Sequence, residues 1–169
     1  MSKNNSIYIG IGSNLDHRNL IVKSVILNII SNKKISYFKI SNVYKSLSIG
    51  SINKKNFINL VMYIKTTFNY LDLLIFLQKI EILYNRKHVY KNSPRTIDID
   101  ILFFKNNIIV KSKYLNIPHI EIQKRGFVLQ PILEIDKFKY IKNHGYILIL
   151  INMLPKLNIS KKIGFFDFI

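Results

Sequence analysis

Leu71-Asp72-Leu73-Leu74-Ile75-Phe76-Leu77-Gln78-Lys79-Ile80-Glu81-Ile82-Leu83-Tyr84 is followed, after a basic stretch, by Ile97-Asp98-Ile99-Asp100-Ile101-Leu102-Phe103-Phe104, and the fold turns on how these two runs differ. In the first, Leu73, Leu74, Leu77, Ile80 and Leu83 or Tyr84 recur at helical spacing, and Asn69 with Asp72 is placed to cap the start. In the second, Ile97, Ile99 and Ile101 alternate with Asp98 and Asp100, the period of a strand with one buried face. Residues 86–94 between them are polar and basic without an apolar period, which predicts an exposed loop ending where Pro94 fixes the backbone.

Working outward, residues 57–65 read as a strand, and residues 34–44 as another, followed by an aperiodic loop over 46–55. Residues 7–11 alternate as a short strand that breaks at Gly10, Gly12, Ser13 and Asn14, after which Leu20, Val22, Val25, Ile26 and Ile29 take helical spacing. Downstream, residues 105–107 read as a turn that returns 108–110 as a hairpin partner of the Asp98 strand. Residues 118–134 are irregular and then apolar, and 146–154 suggest a closing helix. Strands and helices interleave through short connections with no repeat or linker. The expected fold is therefore α+β: a ferredoxin-like α/β sandwich, one domain over 1–169, its antiparallel-rich sheet covered by helices on one face.

Composition narrows the function classes without choosing one. Of 169 residues none is cysteine, which removes disulfides, thiolate metal sites and cysteine nucleophiles and fits a reducing compartment, with the cytoplasm the expected location. No apolar run reaches the ~18 residues of a membrane helix, and the start lacks the pattern of a signal peptide. The formal charge of +17 fits nucleic acid, an anionic surface or a polyanionic small substrate, but the lysines are scattered along nearly every segment. Only cations that converge on a site bear on function.

Asp98 and Asp100 are two positions apart in a strand, so their carboxylates project from one face about 7 Å apart. Such a pair repels itself unless a cation lies beside it, and hard oxygen ligands suit magnesium, which also binds phosphate oxygens. Arg95 beside them is the residue type that clamps a transferring phosphoryl group. A solvated acidic face on a basic protein is the plainer reading of the bare pair. Gln78 and Glu81 lie one turn apart on the polar side of their helix. The glycines at 10 and 12 match neither a dinucleotide fingerprint nor a P-loop, so tight-turn packing is their better reading. His119, Lys124, Arg125 and Phe127 bring an imidazole, two cations and a ring together; residues 125–128 only begin an RNA-recognition signature, because Val128 stands where a small residue belongs.

Taken together, these segments resemble 6-hydroxymethyl-7,8-dihydropterin pyrophosphokinase from about residue 7 to 154. The resemblance is carried by Gly12 to Leu15, by Tyr44, Phe57 and Asn59, by Gln78, Glu81 and Arg86, by Pro94 to Asp100, and by Ile117-Pro118-His119 with residues 125–135. It implies transfer of the β,γ-diphosphoryl group of ATP to the pterin hydroxymethyl oxygen, with two Mg2+ ions held by Asp98 and Asp100. It further implies that Arg86 and Arg95 close on the phosphates and that Gln78, Glu81, Ile101, His119 and Arg125 contact ATP. The pterin would stack between Phe57 and Phe127, with Asn59, Ser46 and the backbone near Ile49 on its polar edge. Small-molecule substrates, a monomer, no nucleic acid and no membrane are expected on this reading. Phe57 stands where the family often has Tyr, Asn92-Ser93 where it has Trp-Gly, Ile120 where an aromatic follows the His, and Tyr114 where some members carry a basic residue. The rival readings are a basic nucleic-acid-binding α+β module without catalysis and a metal-dependent glycosyl or nucleotidyl transferase using the same acid pair.

Overall fold

A computed structural model describes residues 4–14, 17–46, 56–84, 96–104 and 108–165. The strands are β1 (Asn5–Ser13), β2 (Ile35–Ile40), β3 (Val43–Ser46), β4 (Phe57–Thr66), β5 (Asp98–Phe104), β6 (Val110–Lys111), β7 (Asn116–Ile117), β8 (Tyr140–Ile141), β9 (Gly145–Tyr146) and β10 (Lys161–Gly164). The α-helices are α1 (Arg18–Ile30), α2 (Tyr70–Leu83), α3 (Gly126–Ile135) and α4 (Ile147–Asn152). The main sheet runs β10-β3-β4-β1-β5, and β2 also pairs with β4; every pairing is antiparallel. Omitting β10, the connection from β1 through α1, the β2/β3 segment, β4, α2 and β5 is the split βαβ plan of the ferredoxin-like fold.

Alternation along the strands divides the core in two. Ile7, Ile9 and Ile11 of β1, Ile58, Leu60, Met62 and Ile64 of β4 and Ile99 and Ile101 of β5 meet Val22, Val25, Ile26 and Ile29 of α1 and Leu73, Leu77 and Ile80 of α2. The other face carries Tyr8, Val61 and Phe103 against Val128, Leu129 and Ile132 of α3 and Ile147 and Leu150 of α4. Helices thus cover both faces, not one as the sequence suggested. The apolar side chains of 126–135 and 146–154 need a second apolar surface, and the first is already filled by α1 and α2.

α2 begins as its sequence predicts: the Asp72 N–H donates to the Asn69 side chain, whose amide returns a bond to Asp72 Oδ2. Of the two residues that could close its inner stripe, Tyr84 packs on the core and Leu83 is exposed, and Glu81 is buried as well. The single strand expected over 34–44 breaks at Ser41, whose main-chain N–H donates to Val61 O while its hydroxyl accepts from Val61 N–H. This break lets β2 pair with the distal half of β4 and β3 with the proximal half. The hairpin expected for 108–110 is also corrected: Val110 and Lys111 pair with Ile117 and Asn116, while β5 pairs with β1.

β10 was not legible in the sequence and closes the sheet edge beside β3. Glu134 of α3 anchors it, accepting from Lys162 Nζ at 2.8 Å and from the Asn42 main-chain N–H at 2.8 Å. Burial opposes ionisation of Glu134, but these donors and the Tyr44 hydroxyl outweigh it and hold its pKa below the usual glutamate range. A depressed folded-state pKa contributes stability above the unfolded value, about 4.3, that is lost as the pH falls through the folded one. Glu134→Gln should therefore cost about 1 kcal/mol near neutrality. In urea unfolding followed against pH, that difference should shrink as the pH falls below the unfolded value and disappear once Glu134 is protonated in the folded protein too.

Candidate functional site

The site grows from one row of the sheet. Tyr44, Asn59, Gly12 and Asp98 are direct neighbours across β3, β4, β1 and β5, and Gly10 lies opposite Asp100 in the adjacent same-face row. Both carboxylates therefore stand beside glycines, and the absent side chains leave room on that face. A Cβ on Gly12 would lie 2.9 Å from Asn59 Oδ1, so only glycine lets the Asn59 amide lie across β1. Asn59 is buried and its Nδ2 donates to Ser46 Oγ at 2.9 Å, which places an oriented amide and a hydroxyl next to the acid pair. Phe57, paired with Ser46, is half-buried at the rim.

The strand under the acids is held at both its start and its outer edge. Ser13 is fully buried, and its hydroxyl donates to Thr96 O at 2.6 Å. The strand expected to break at Gly10, Gly12 and Ser13 instead runs through them to the end of β1, and Ser13 there ties down the residue two before β5. On the outer edge Glu81, 4 % exposed, accepts the Ile99 N–H at 2.7 Å, midway between Asp98 and Asp100. Glu81 does not share the exposed polar face with Gln78 that the helical spacing implied: Gln78 is exposed and Glu81 points into the strand. Glu81→Ala should leave a buried N–H unpaired and cost about 2–3 kcal/mol in urea unfolding, with Glu81→Gln, which keeps an acceptor, costing less than half of that.

The third side comes from the segment leading into α3. Arg125 Nη1 lies 3.4 Å from Asp100 Oδ2 and His119 Nε2 lies 3.7 Å from the same oxygen. The His119 main-chain N–H donates to Leu102 O, fixing the residue to the edge of β5, and His119 Nδ1 accepts from the Glu121 N–H. With Nδ1 accepting, the ring proton sits on Nε2, toward Asp100. Burial pushes the His119 pKa down; neighbouring Asp100 opposes this and Arg125 reinforces it, so the ring is neutral near pH 7. The Arg125 guanidinium lies 5.7 Å from the Phe127 ring centre, which puts a cation and an aromatic face at the start of α3.

The structure thus brings Asp98, Asp100, His119 and Arg125 together, with Asn59 and Ser46 on the same side of the sheet. Ile101 is 4 % exposed with its side chain in the core, so a ligand could reach only its main-chain edge. Arg86, Arg95 and Ile49 lie outside the described residues, as do the loop expected over 86–94 and all of the loop expected over 46–55 except Ser46, which ends β3. Among the described residues no group of three or more His, Asp or Glu side chains could hold a metal ion. Two carboxylates could hold a magnesium ion only with water and phosphate oxygens as its remaining ligands.

A ferredoxin-like sandwich bearing an acid pair over a glycine row, with a histidine, an arginine and an aromatic ring at its flank, is the class that fold and site define. Comparison with known proteins gives the family: the chain belongs to the 7,8-dihydro-6-hydroxymethylpterin-pyrophosphokinase (HPPK) family, whose sequence model matches residues 8–137. It is 38% identical over 136 residues to the 2-amino-4-hydroxy-6-hydroxymethyldihydropteridine pyrophosphokinase of Aquifex aeolicus, covering 78% of this chain and 80% of that one. It is 37% identical over 135 residues to the bifunctional protein FolKE of Lactococcus lactis, covering 79% of this chain but only 38% of that longer protein. Wild-type Plasmodium falciparum HPPK-DHPS has a similar fold, with a TM-score of 0.68 at 17% identity over 89% of this chain and 41% of that one.

Proposed function

We propose that this chain transfers the β,γ-diphosphoryl group of ATP to the hydroxymethyl oxygen of 6-hydroxymethyl-7,8-dihydropterin, releasing AMP, as a step of tetrahydrofolate synthesis. The observation that carries the reading is the pair Asp98 and Asp100 on one sheet face beside Gly12 and Gly10, with the Asn59 amide across the same row. Membership of the HPPK family and the names of its relatives support it. In the reaction a bond forms between the pterin oxygen and the β-phosphorus, the bond from that phosphorus to the α,β-bridging oxygen breaks, and the hydroxyl proton is lost.

Asp98 and Asp100 would hold two magnesium ions, which when bound neutralise phosphate charge and favour the ionised hydroxyl. Gln78, His119, Arg125 and the main-chain edge of Ile101 form the nucleotide side. Neutral His119 donates from Nε2 to an oxygen without adding charge, while Arg125 supplies the cation. Glu81 lies behind them and acts through the β5 backbone. Asn59 and Ser46 present donors and acceptors to the pterin edge, with Phe57 and Phe127 offered to its faces; this is what a flat heteroaromatic with one polar rim requires. By the family resemblance, Arg86, Arg95 and the backbone near Ile49 complete the phosphate and pterin contacts. A cytoplasmic monomer belongs to the same reading.

The decisive assay incubates the protein with ATP, magnesium chloride and 6-hydroxymethyl-7,8-dihydropterin. AMP and pterin diphosphate should appear in equal amounts and cease when magnesium is chelated. ADP as the product, or AMP that forms without pterin, would overturn the reading.

A further inference from the structure

The face that bears the acid pair has a second feature at its other end. A cavity of about 400 Å³ opens there, floored by alternate residues of β2, β4, β1 and β5 and walled by the turn after α3. Its volume is that of a small-molecule pocket. Tyr8, which lines it, is four residues before Gly12 on β1, so the cavity sits roughly 13 Å along the strand from the acid row. Nothing in the proposed reaction uses it.

Its lining combines two kinds of group. Tyr37, Tyr63, Tyr8 and Phe103 are the aromatic ones, and Lys39, Lys65 and Lys139 are the cations. The sheet register explains the mixture: Lys39 is opposite Tyr63, Tyr63 opposite Tyr8 and Tyr8 opposite Phe103, while Tyr37 is opposite Lys65 in the next row. Lys65 Nζ lies 5.5 Å from the Tyr37 ring centre, and Lys139 Nζ lies 5.1 Å from that of Tyr8 and 5.8 Å from that of Phe103. Among the described residues Asp136 is the one acid in the lining, and both its oxygens have donors. The Tyr8 hydroxyl donates to Oδ2 at 3.2 Å and the Phe138 N–H to Oδ1 at 3.1 Å.

Three ammonium groups around one cavity, with a single described acid already hydrogen-bonded, leave an excess of positive charge over a ring floor in which Tyr37 is exposed and Tyr63 half-buried, while Tyr8 and Phe103 are buried beneath Lys139. We propose that this cavity is a second binding site, for a small planar aromatic molecule bearing a carboxylate or a phosphate. The ring would lie against Tyr37 and Tyr63 and the anionic group would sit among the lysines, where aromatic stacking and charge pairing act together. Burial lowers the Lys139 pKa despite the nearby Asp136, and an arriving anion would offset that cost by charge pairing. Scattered surface lysines would give neither the concavity nor the ring floor.

Amide NMR of the full chain, titrated with phenyl phosphate and with benzoate, tests this. At least one of the two should shift the signals of Ser6, Tyr63, Lys65 and Lys139 saturably, with a Kd of about 1 mM for so small a probe. The probe that shifts them identifies the anion. Lys65→Glu and Lys39→Glu, both exposed strand positions, should each weaken that binding at least tenfold. Inorganic phosphate and benzyl alcohol, which carry only half of the required chemistry, should bind at least tenfold more weakly. The proposal fails if neither aromatic anion moves these signals, if either lysine variant binds with undiminished affinity, or if phosphate alone or the neutral alcohol binds equally well. Because the readout needs neither ATP nor turnover, it stands or falls separately from the pyrophosphokinase assay.

Discussion

Asp98→Ala should lower the rate of AMP formation by about 1,000-fold or more, because it removes one of the two carboxylates offered to magnesium and leaves the phosphate charge less neutralised in transfer. The fold should survive. Asp98 is half-exposed on β5, whereas the residues that hold that strand are elsewhere: Ile97, Ile99 and Ile101 in the core, Ser13 at Thr96 and Glu81 at the Ile99 N–H. The melting temperature is therefore expected to stay within roughly 3 °C of the parent, as for a surface substitution. Asp98→Asn, equal in size but neutral, should lose nearly as much, since the ligand's charge is what matters. Product assays and circular-dichroism melts on the same preparations check both halves, and AMP formation within tenfold of the parent would contradict the role given to Asp98.

The second large effect is expected at a glycine that belongs to no recognised phosphate loop. Gly126 opens α3, and a Cβ there would lie 1.9 Å from the main-chain oxygen of Asn158, far inside contact distance. The obstacle is backbone, so no rotamer change relieves it. Either α3 must shift or the segment ahead of β10 must leave. That segment is held by the Asn158 amide donating to Lys124 O and by the Ser160 N–H donating to Gln130 Oε1, so moving it breaks more than one bond. Gly126→Ala should cost about 3 kcal/mol and lower the melting temperature by roughly 10 °C. It should also lower kcat/KM about 10- to 100-fold, since Arg125 and Phe127 flank the substituted residue and displacements near 1 Å are costly in catalysis. Hydrogen exchange at Lys161 to Gly164 should accelerate. A variant that melts like the parent would show that the approach of Asn158 to α3 is not maintained in solution.

The two predictions separate what a strand pattern can reveal from what it cannot. Asp98 and Asp100 were legible because a period of two in one run of residues fixes which side chains share a face, wherever the strand later docks. The N-cap and inner stripe of α2 were legible for the same reason, a local period and local donors. Glu81 was not, because the helical period says which side a residue takes but not what waits there; the main-chain N–H of Ile99 at the sheet edge makes a buried carboxylate tolerable, and it comes from another element. Ser41 escaped notice likewise, since β2 and β3 share one partner and the break between them is set by β4. The short β10 carries little apolar pattern of its own, and its pairing depends on the free edge of β3 and on Glu134. Nothing in the fold or the comparisons favours the nucleic-acid module that the charge of +17 allowed.

By itself the sequence determined the alternation of strand and helix, the shared face of the two aspartates and, through ordered blocks of residues, the family to which the chain belongs. These depend on spacing along the chain, where geometry repeats every two or 3.6 residues. Only the tertiary structure decided that helices cover both faces, that glycines stand beside both acids, that His119 and Arg125 converge on Asp100, and that rings from four strands meet three lysines around one cavity. Each of those is a contact between residues far apart in sequence, fixed by sheet register and by competition for buried surface, which no local period encodes.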